Sequence, residues 1–307
     1  MPTRKNLIMV PYAEIPSMET GSNVALKRNR DRKDIYLKNC CVSLVTAKRQ
    51  NPECTVALVT NIDVPLPYAG VLEREGVEVI SLPFERFNFG DGYTWGLAFY
   101  KICARYYAAH QLDYDRILCL DSDVYVQSGL QAAWGEMDTS ILLYRFVGND
   151  SEIPEEIRRF TGAEKAGNVR YGGEFIGASR ELMRALTERE EEVFLDMKAR
   201  EFRVSTGDEF ITTLAAEDFD SRIGTAGGRY VTRLHTAAFR RIDSNYPSIP
   251  CLHMVSEKWT GMTALYDRYI SRNRIPDNKT ACHLLHIDHR SPREAAKYLV
   301  KKALGKI

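Results

Sequence analysis

Apolar residues along this chain fall into short runs and helical stripes, and their period tells which element each segment forms. Residues 7–12, 54–60 and 77–82 have the length and apolar content of buried strands, the first closing in a loop that holds Pro11 and Pro16. Between the first two, Ile35, Tyr36, Cys40, Leu44 and Ala47 recur at helical spacing after a charge-mixed stretch that begins at Lys27. A short helix is expected over 67–75. Trp95, Ala98, Phe99, Ile102, Cys103 and Tyr106 mark an amphipathic helix ahead of the next apolar run, 117–120. Strand and helix alternate with short connections, as in a parallel or mixed sheet covered on both faces.

The second half is less regular. A strand is expected over 140–146, helices over 153–160 and 179–200, and short strands over 230–234 and 249–254. Thr206-Gly207-Asp208-Glu209 has capping-box spacing and predicts a helix running to Ala216. Ser291-Pro292 places proline at a first helical position and predicts another. The expected organisation is one α/β domain over residues 1–260 and a helical, basic tail over 261–307.

Composition narrows the class. The chain has 307 residues, 44% hydrophobic and 27% charged, which is ordinary for a soluble globular protein. A formal net charge of +1 lacks the basic bias of a duplex binder, so no nucleic-acid partner is expected. The seven cysteines form no Cys-x-x-Cys pair and several lie in apolar runs, so buried free thiols are expected. Near the N-terminus only residues 7–10 are continuously apolar, too few for a signal peptide or a span, and a cytoplasmic location is expected.

Chemistry concentrates where the run 117–120 ends in Asp121-Ser122-Asp123. In an extended chain these two carboxylates project to one side, just past the carboxyl end of a buried strand, where open α/β sheets bind ligands. Two hard oxygen ligands there suit a divalent cation that in turn holds a diphosphate. A calcium EF-hand does not fit, because Tyr125 and Val126 stand at its third ligand position and its required glycine.

With an α/β half upstream, this motif resembles the nucleotide-sugar-dependent glycosyltransferases of GT-A fold, nearest the family-eight group. The resemblance covers residues 7–259 in element order and implies a Rossmann-like mixed sheet flanked by helices in a single domain. It implies a nucleotide base held by Val10, Pro11, Tyr12 and Ala13, and a basic residue near the donor at Lys101. It implies Mn²⁺ or Mg²⁺ on Asp121, Asp123 and His253, with Ser122 between the two acids in the donor site. His253-Met254-Val255-Ser256-Glu257-Lys258-Trp259 corresponds to a His…Lys-Pro-Trp segment, with Ser256 replacing a glycine, the proline missing and Lys258 one residue nearer the histidine. Lys258 would then face the diphosphate. Two carboxylates and one imidazole favour Mn²⁺ over Mg²⁺ more than an all-oxygen set would.

Other positions have two readings. The resemblance sets an acidic pair, Asp208 and Glu209, beside the acceptor and the reacting sugar, yet Glu209 also suits a capping box and Asp208 a helix macrodipole. Gly172 and Gly173 would let the backbone approach the donor, with Glu174 on a sugar hydroxyl, or Tyr171-Gly172-Gly173-Glu174 is a tight turn. Trp95 is expected to pack into the core. The run 27–33 is a solvated face from which Arg28 or Arg30 would reach phosphate. In the tail, Arg293, Lys297, Lys301, Lys302 and Lys306 alternate with Ala295, Tyr298, Leu299, Val300 and Leu304, Glu294 being the one acid. That helix either lies on an anionic membrane or docks on its own domain.

The expected activity is transfer of a sugar, from a UDP-sugar first of all, to a hydroxyl of a glycan or lipid-linked saccharide, on the cytoplasmic membrane face if the tail binds there. Retention and inversion both remain open. The rivals are a haloacid-dehalogenase-like phosphohydrolase, with Asp121 as nucleophile and Asp123 as acid/base, and a nucleotide-sugar-binding protein without turnover.

Overall fold

The computed structural model describes residues 4–15, 29–146, 152–162, 169–236, 242, 245–289 and 292–305. Among them the chain begins β1 (Asn6–Tyr12), α1 (Asn29–Gln50), β2 (Thr55–Thr60), α2 (Leu66–Arg74) and β3 (Glu78–Ser81). A 3-10 turn over Gly96–Phe99 leads into α3 (Tyr100–Gln111), followed by β4 (Arg116–Leu120), β5 (Val124–Val126) and α4 (Gln131–Glu136). Next come β6 (Ile141–Arg145), α5 (Ile153–Thr161), β7 (Tyr171–Ser179), α6 (Arg180–Ala199) and α7 (Asp208–Ala216). The last part holds β8 (Ile223–Thr225), β9 (Val231–Arg233), β10 (Cys251–His253), α8 (Gly261–Arg268), α9 (Asn278–Leu284) and α10 (Pro292–Ala303).

Seven strands form a mixed sheet in the order β3-β2-β1-β4-β7-β6-β8. The first four are parallel, β7 runs antiparallel between β4 and β6, and β8 is parallel to β6. Order reverses between β1 and β4, so the carboxyl ends of these two strands flank the crevice where such sheets bind ligands. Both faces of the sheet are buried, which is why its central strands read as continuous apolar runs. Ile8, Val10, Leu118 and Leu120 face one cluster, with Leu37 and Leu44 of α1. Leu7, Met9, Ile117 and Cys119 face the other, with Ile102 of α3, Leu186 of α6 and Phe210 of α7. The architecture is thus a single α/β domain, a Rossmann-like mixed sheet between helical layers. All seven cysteines are buried and free.

The second half departs from expectation in three places. Tyr171-Gly172-Gly173-Glu174 is the start of β7, a nine-residue strand, and not a turn. Residue 260 is no boundary, since Met262, Leu265 and Tyr266 of α8 and Cys282 and Leu285 around α9 belong to the cluster beneath α1. Helix α7 has no capping box either. Its N-cap is Gly207, at a φ of 65°, with no side-chain cap, and Thr206 instead donates its hydroxyl hydrogen bond to Glu156. A side chain at Gly207 would meet Trp95 at 3.2 Å, so both the left-handed turn and the close packing call for glycine. Pro16, Arg28, Ser291 and Lys306 lie outside the described residues, as do the side chains of Arg30, Arg293 and Glu294.

Candidate functional site

Asp121 directly follows β4, and the chain then turns, the Val124 amide donating to the Asp121 carbonyl at 3.3 Å. The two carboxylates therefore converge through a turn, and not through extended alternation. The chain returns about 130 residues later as β10, antiparallel to β5, with His253 opposite Val124 and the Met254 amide bonded to the Asp123 carbonyl at 2.9 Å. His253 Nε2 then lies 3.2 Å from Asp123 Oδ2 and 3.8 Å from Asp121 Oδ2. Asp121, Asp123 and His253 each offer one ligand atom, and these atoms lie within 4.8 Å of one another.

Two lysines flank this cluster. Lys101, in the first turn of α3, sits 3.1 Å from Asp121 Oδ1 and 2.9 Å from Asp208 Oδ2. Lys258 Nζ is 3.3 Å from Asp123 Oδ2. The loop carrying it is fixed by Glu257, 1% exposed, which accepts hydrogen bonds from Thr236, Thr260 and the Gly261 amide and pairs with His286. Yet both oxygens of Asp123, though buried, lack an aligned hydrogen bond. A buried carboxylate left with ion pairs alone is the orphan that a divalent cation would satisfy, so the donor set fits a metal.

Burial and charge set the protonation states. Burial pushes Asp123 up, but Lys258 and His253 outweigh it and hold the carboxyl well below the ordinary range. Burial lowers His253, but Asp123 and Glu174 overcome it and raise the imidazole to about 9. Glu174 is brought down to about 2, because Arg233 and His253 outweigh its burial. Asp208 goes the other way. Burial lifts it to about 6, against the pull of Lys101 and with the push of Glu209.

The cluster floors a cavity of about 710 Å³. Pro11, Tyr12 and Ala13 line one end, with Tyr36 stacked on Tyr12 at a centroid separation of 5.9 Å. Lys101, Asp121, Ser122, Asp123, Asp208, Glu209, His253 and Lys258 also line it. Trp95 packs against the core as expected, yet it is only half-buried and, like Trp259, also lines the cavity.

Other expected residues do not reach it. Val10 is wholly buried, its side chain in the core beneath the sheet. Glu174 is also fully buried and cannot touch a substrate hydroxyl. Its carboxylate accepts two hydrogen bonds from Arg233, at 2.8 and 3.0 Å, and faces His253 Nδ1 at 3.3 Å. Gly172 and Gly173 lie in β7 and not on the cavity wall. A methyl at Gly173 would fall 2.4 Å from Lys101 Nζ and 2.8 Å from Asp208 Oδ2, so this glycine makes room for that ion pair. Glu209 does not close a cap. It accepts from the Arg170 guanidinium and lies 3.5 Å from Arg233. Arg170, Arg233 and His235, none foreseen, complete this wall, and Phe146 lies between the two guanidinium groups at 4.2 and 4.3 Å.

No protein-family model matches the chain, and no curated protein matches it significantly.

Proposed function

We propose that this chain is a metal-dependent glycosyltransferase of GT-A type, moving a sugar from a nucleotide diphosphate donor, a UDP-sugar first of all, to a hydroxyl of a glycan or lipid-linked saccharide. One observation carries the reading: Asp121, Asp123 and His253 meet at the carboxyl end of β4, on the floor of a cavity that runs to the end of β1. The stacked pair Tyr12 and Tyr36 offers a flat surface for a base. Asp121, Asp123 and His253 would hold Mn²⁺ or Mg²⁺, which when bound supplies positive charge to the leaving diphosphate. Lys258 adds an ammonium on the same side. Such charges favour the transition state over the ground state, because negative charge builds on the diphosphate as the anomeric bond breaks.

Asp208 shares Lys101 with Asp121, and its pKa is lifted to about 6, close enough to neutrality for moving a proton to or from an acceptor hydroxyl. Glu174 acts behind the site, orienting His253 through Nδ1 as carboxylates do for metal-bound imidazoles. The phosphohydrolase reading fits less well. It needs Asp123 to donate a proton, and Lys258 and His253 keep that carboxyl ionised. A non-catalytic binder would have no use for a carboxyl tuned like Asp208.

Thermal shift with nucleoside diphosphates, with and without Mn²⁺, tests the reading. A native-state ligand raises the melting temperature by mass action. The expected result is a rise that needs both metal and nucleotide and is lost in Asp121→Asn. If no nucleoside diphosphate stabilises the metal-loaded protein, the proposal fails.

A further inference from the structure

A second convergence of metal-ligating groups lies in the last turn of α9 and the loop that leaves it, among residues that do not line the cavity. The segment reads His283-Leu284-Leu285-His286-Ile287-Asp288-His289 and holds three of the chain's six histidines. His283, Asp288 and His289 each offer a nitrogen or carboxylate oxygen, all within 4.8 Å of one another. His283 Nδ1 is 3.2 Å from Asp288 Oδ2, and His289 Nδ1 faces the other oxygen of the same carboxylate. The two imidazole rings stack with centroids 4.2 Å apart.

The backbone holds this arrangement in place. Leu285 and Ile287 are buried at 0% and 2% exposure, pinning the loop to the core on either side of His286. His286 itself takes a φ of 54°, a left-handed conformation that is uncommon for a residue with a side chain. Its Nδ1 pairs with the buried carboxylate of Glu257 at 2.8 Å, which compensates the turn and keeps the histidine out of the cluster. His283 and His289 remain outside, with 64% and 40% of their side-chain surface exposed.

Two imidazoles and one carboxylate form a borderline-soft donor set, which binds late first-row divalent ions such as Zn²⁺ more tightly than Mn²⁺. Around a tetrahedral Zn²⁺, with bonds of about 2.0–2.2 Å, ligand atoms stand roughly 3.3 Å apart. The ligand atoms here lie within 4.8 Å of one another, a spread that rotation of the exposed side chains can bring to that value. His289 also precedes α10 by only three positions, since that helix starts at Pro292.

We propose that His283, Asp288 and His289 bind Zn²⁺ at the protein surface, with the fourth coordination position filled by water, and that the ion fastens Asp288 and His289 to the end of α9. This does not depend on the glycosyltransferase reading. The test is a Zn²⁺ titration of the full-length chain by calorimetry, beside His283→Ala/His289→Ala and Asp121→Asn. Wild type is expected to bind one equivalent more than the double histidine variant, and Asp121→Asn to retain that equivalent. Both histidines are exposed, so the double variant should keep its circular dichroism spectrum in chelator. Should it misfold, Asp288→Asn is expected to show the same loss with its shape nearly unchanged. Equal stoichiometry in wild type and in a folded variant would overturn the site.

Discussion

Replacing Asp208 by asparagine separates what this carboxyl does for chemistry from what it does to the fold. Asp208 is 4% exposed, and its ion-pair partner Lys101, at 2.9 Å, is shared with Asp121. Burial lifts its pKa from 3.8 to about 6. A carboxyl whose folded pKa lies above its unfolded value is neutral to stability below the unfolded value. Its destabilising effect builds as the pH rises from the unfolded value to the folded one and is complete above it. At 1.36 kcal/mol per unit, the gap corresponds to roughly 3 kcal/mol at pH 8 as an upper limit. Asparagine keeps the shape, removes the buried charge and leaves Lys101 paired with Asp121. In chelator at pH 8, Asp208→Asn should therefore melt higher by several degrees, taking about 2–4 °C per kcal/mol for a chain of this size. The gain should shrink as the pH falls from 6 to 4, where the wild-type carboxyl takes up its proton. Transfer activity should fall by orders of magnitude in the same protein, a variant more stable and less active. Calorimetric melting across that pH range is the assay. A lower melting temperature at pH 8 would refute the reasoning and show that the Lys101 pair outweighs burial.

Asp121→Asn should fold as wild type and lose Mn²⁺-dependent nucleotide binding. Asp123→Asn should lose it too and also melt lower, because it takes the partner from buried His253 and half-buried Lys258, a loss of up to about 3 kcal/mol. Equal melting of the two variants would count against that charge balance. Glu174→Gln leaves Asp121, Asp123 and His253 in place yet should weaken Mn²⁺ binding by about 10–100-fold. An unchanged Kd by titration would remove Glu174 from its orienting role. On α10 and just past it, Leu299, Val300 and Leu304 are exposed beside Lys297, Lys301 and Lys302, a surface suited to anionic lipid. No helix among the described residues is long and apolar enough to cross a membrane. Truncation after His289 should abolish co-sedimentation with anionic liposomes while sparing donor hydrolysis, and a full-length chain that ignores such liposomes ends the membrane reading. A cut after Asn278 would not serve, since it removes Cys282, Leu285 and Ile287 from the core.

Elements whose signal is local could be read from the chain. The run 117–120 and its two acids carried their own meaning, and so did the α3 stripe that delivers Lys101. What stayed hidden depends on partners far away. Glu174 looked like a polar residue in a glycine turn because Arg233, 59 positions on, was invisible as its counter-ion. The glycines that suggested a turn are there for Lys101 and for close packing within β7. Thr206 and Glu209 matched a capping box in spacing, but each had a stronger charged partner, Glu156 and Arg170. The α8 and α9 segments resemble a tail in sequence because short helices with few apolar residues leave a faint period, and only packing in the cluster beneath α1 makes those residues a core.

His253 reaches the Asp121 turn only through β10, and β10 is held by β9 and β5 beneath a loop that Glu257 ties to Gly261 and His286. During synthesis the two aspartates emerge long before their imidazole. Contacts so distant in sequence form late, after the loop-closure entropy between them has been overcome. A nascent chain that ends before His253 therefore carries only the two aspartates of the proposed centre, and a cation meets the full donor set only once β10 is in place. A cation held as proposed would stabilise the finished molecule, so unfolding in Mn²⁺ should slow without any change in the rate of refolding.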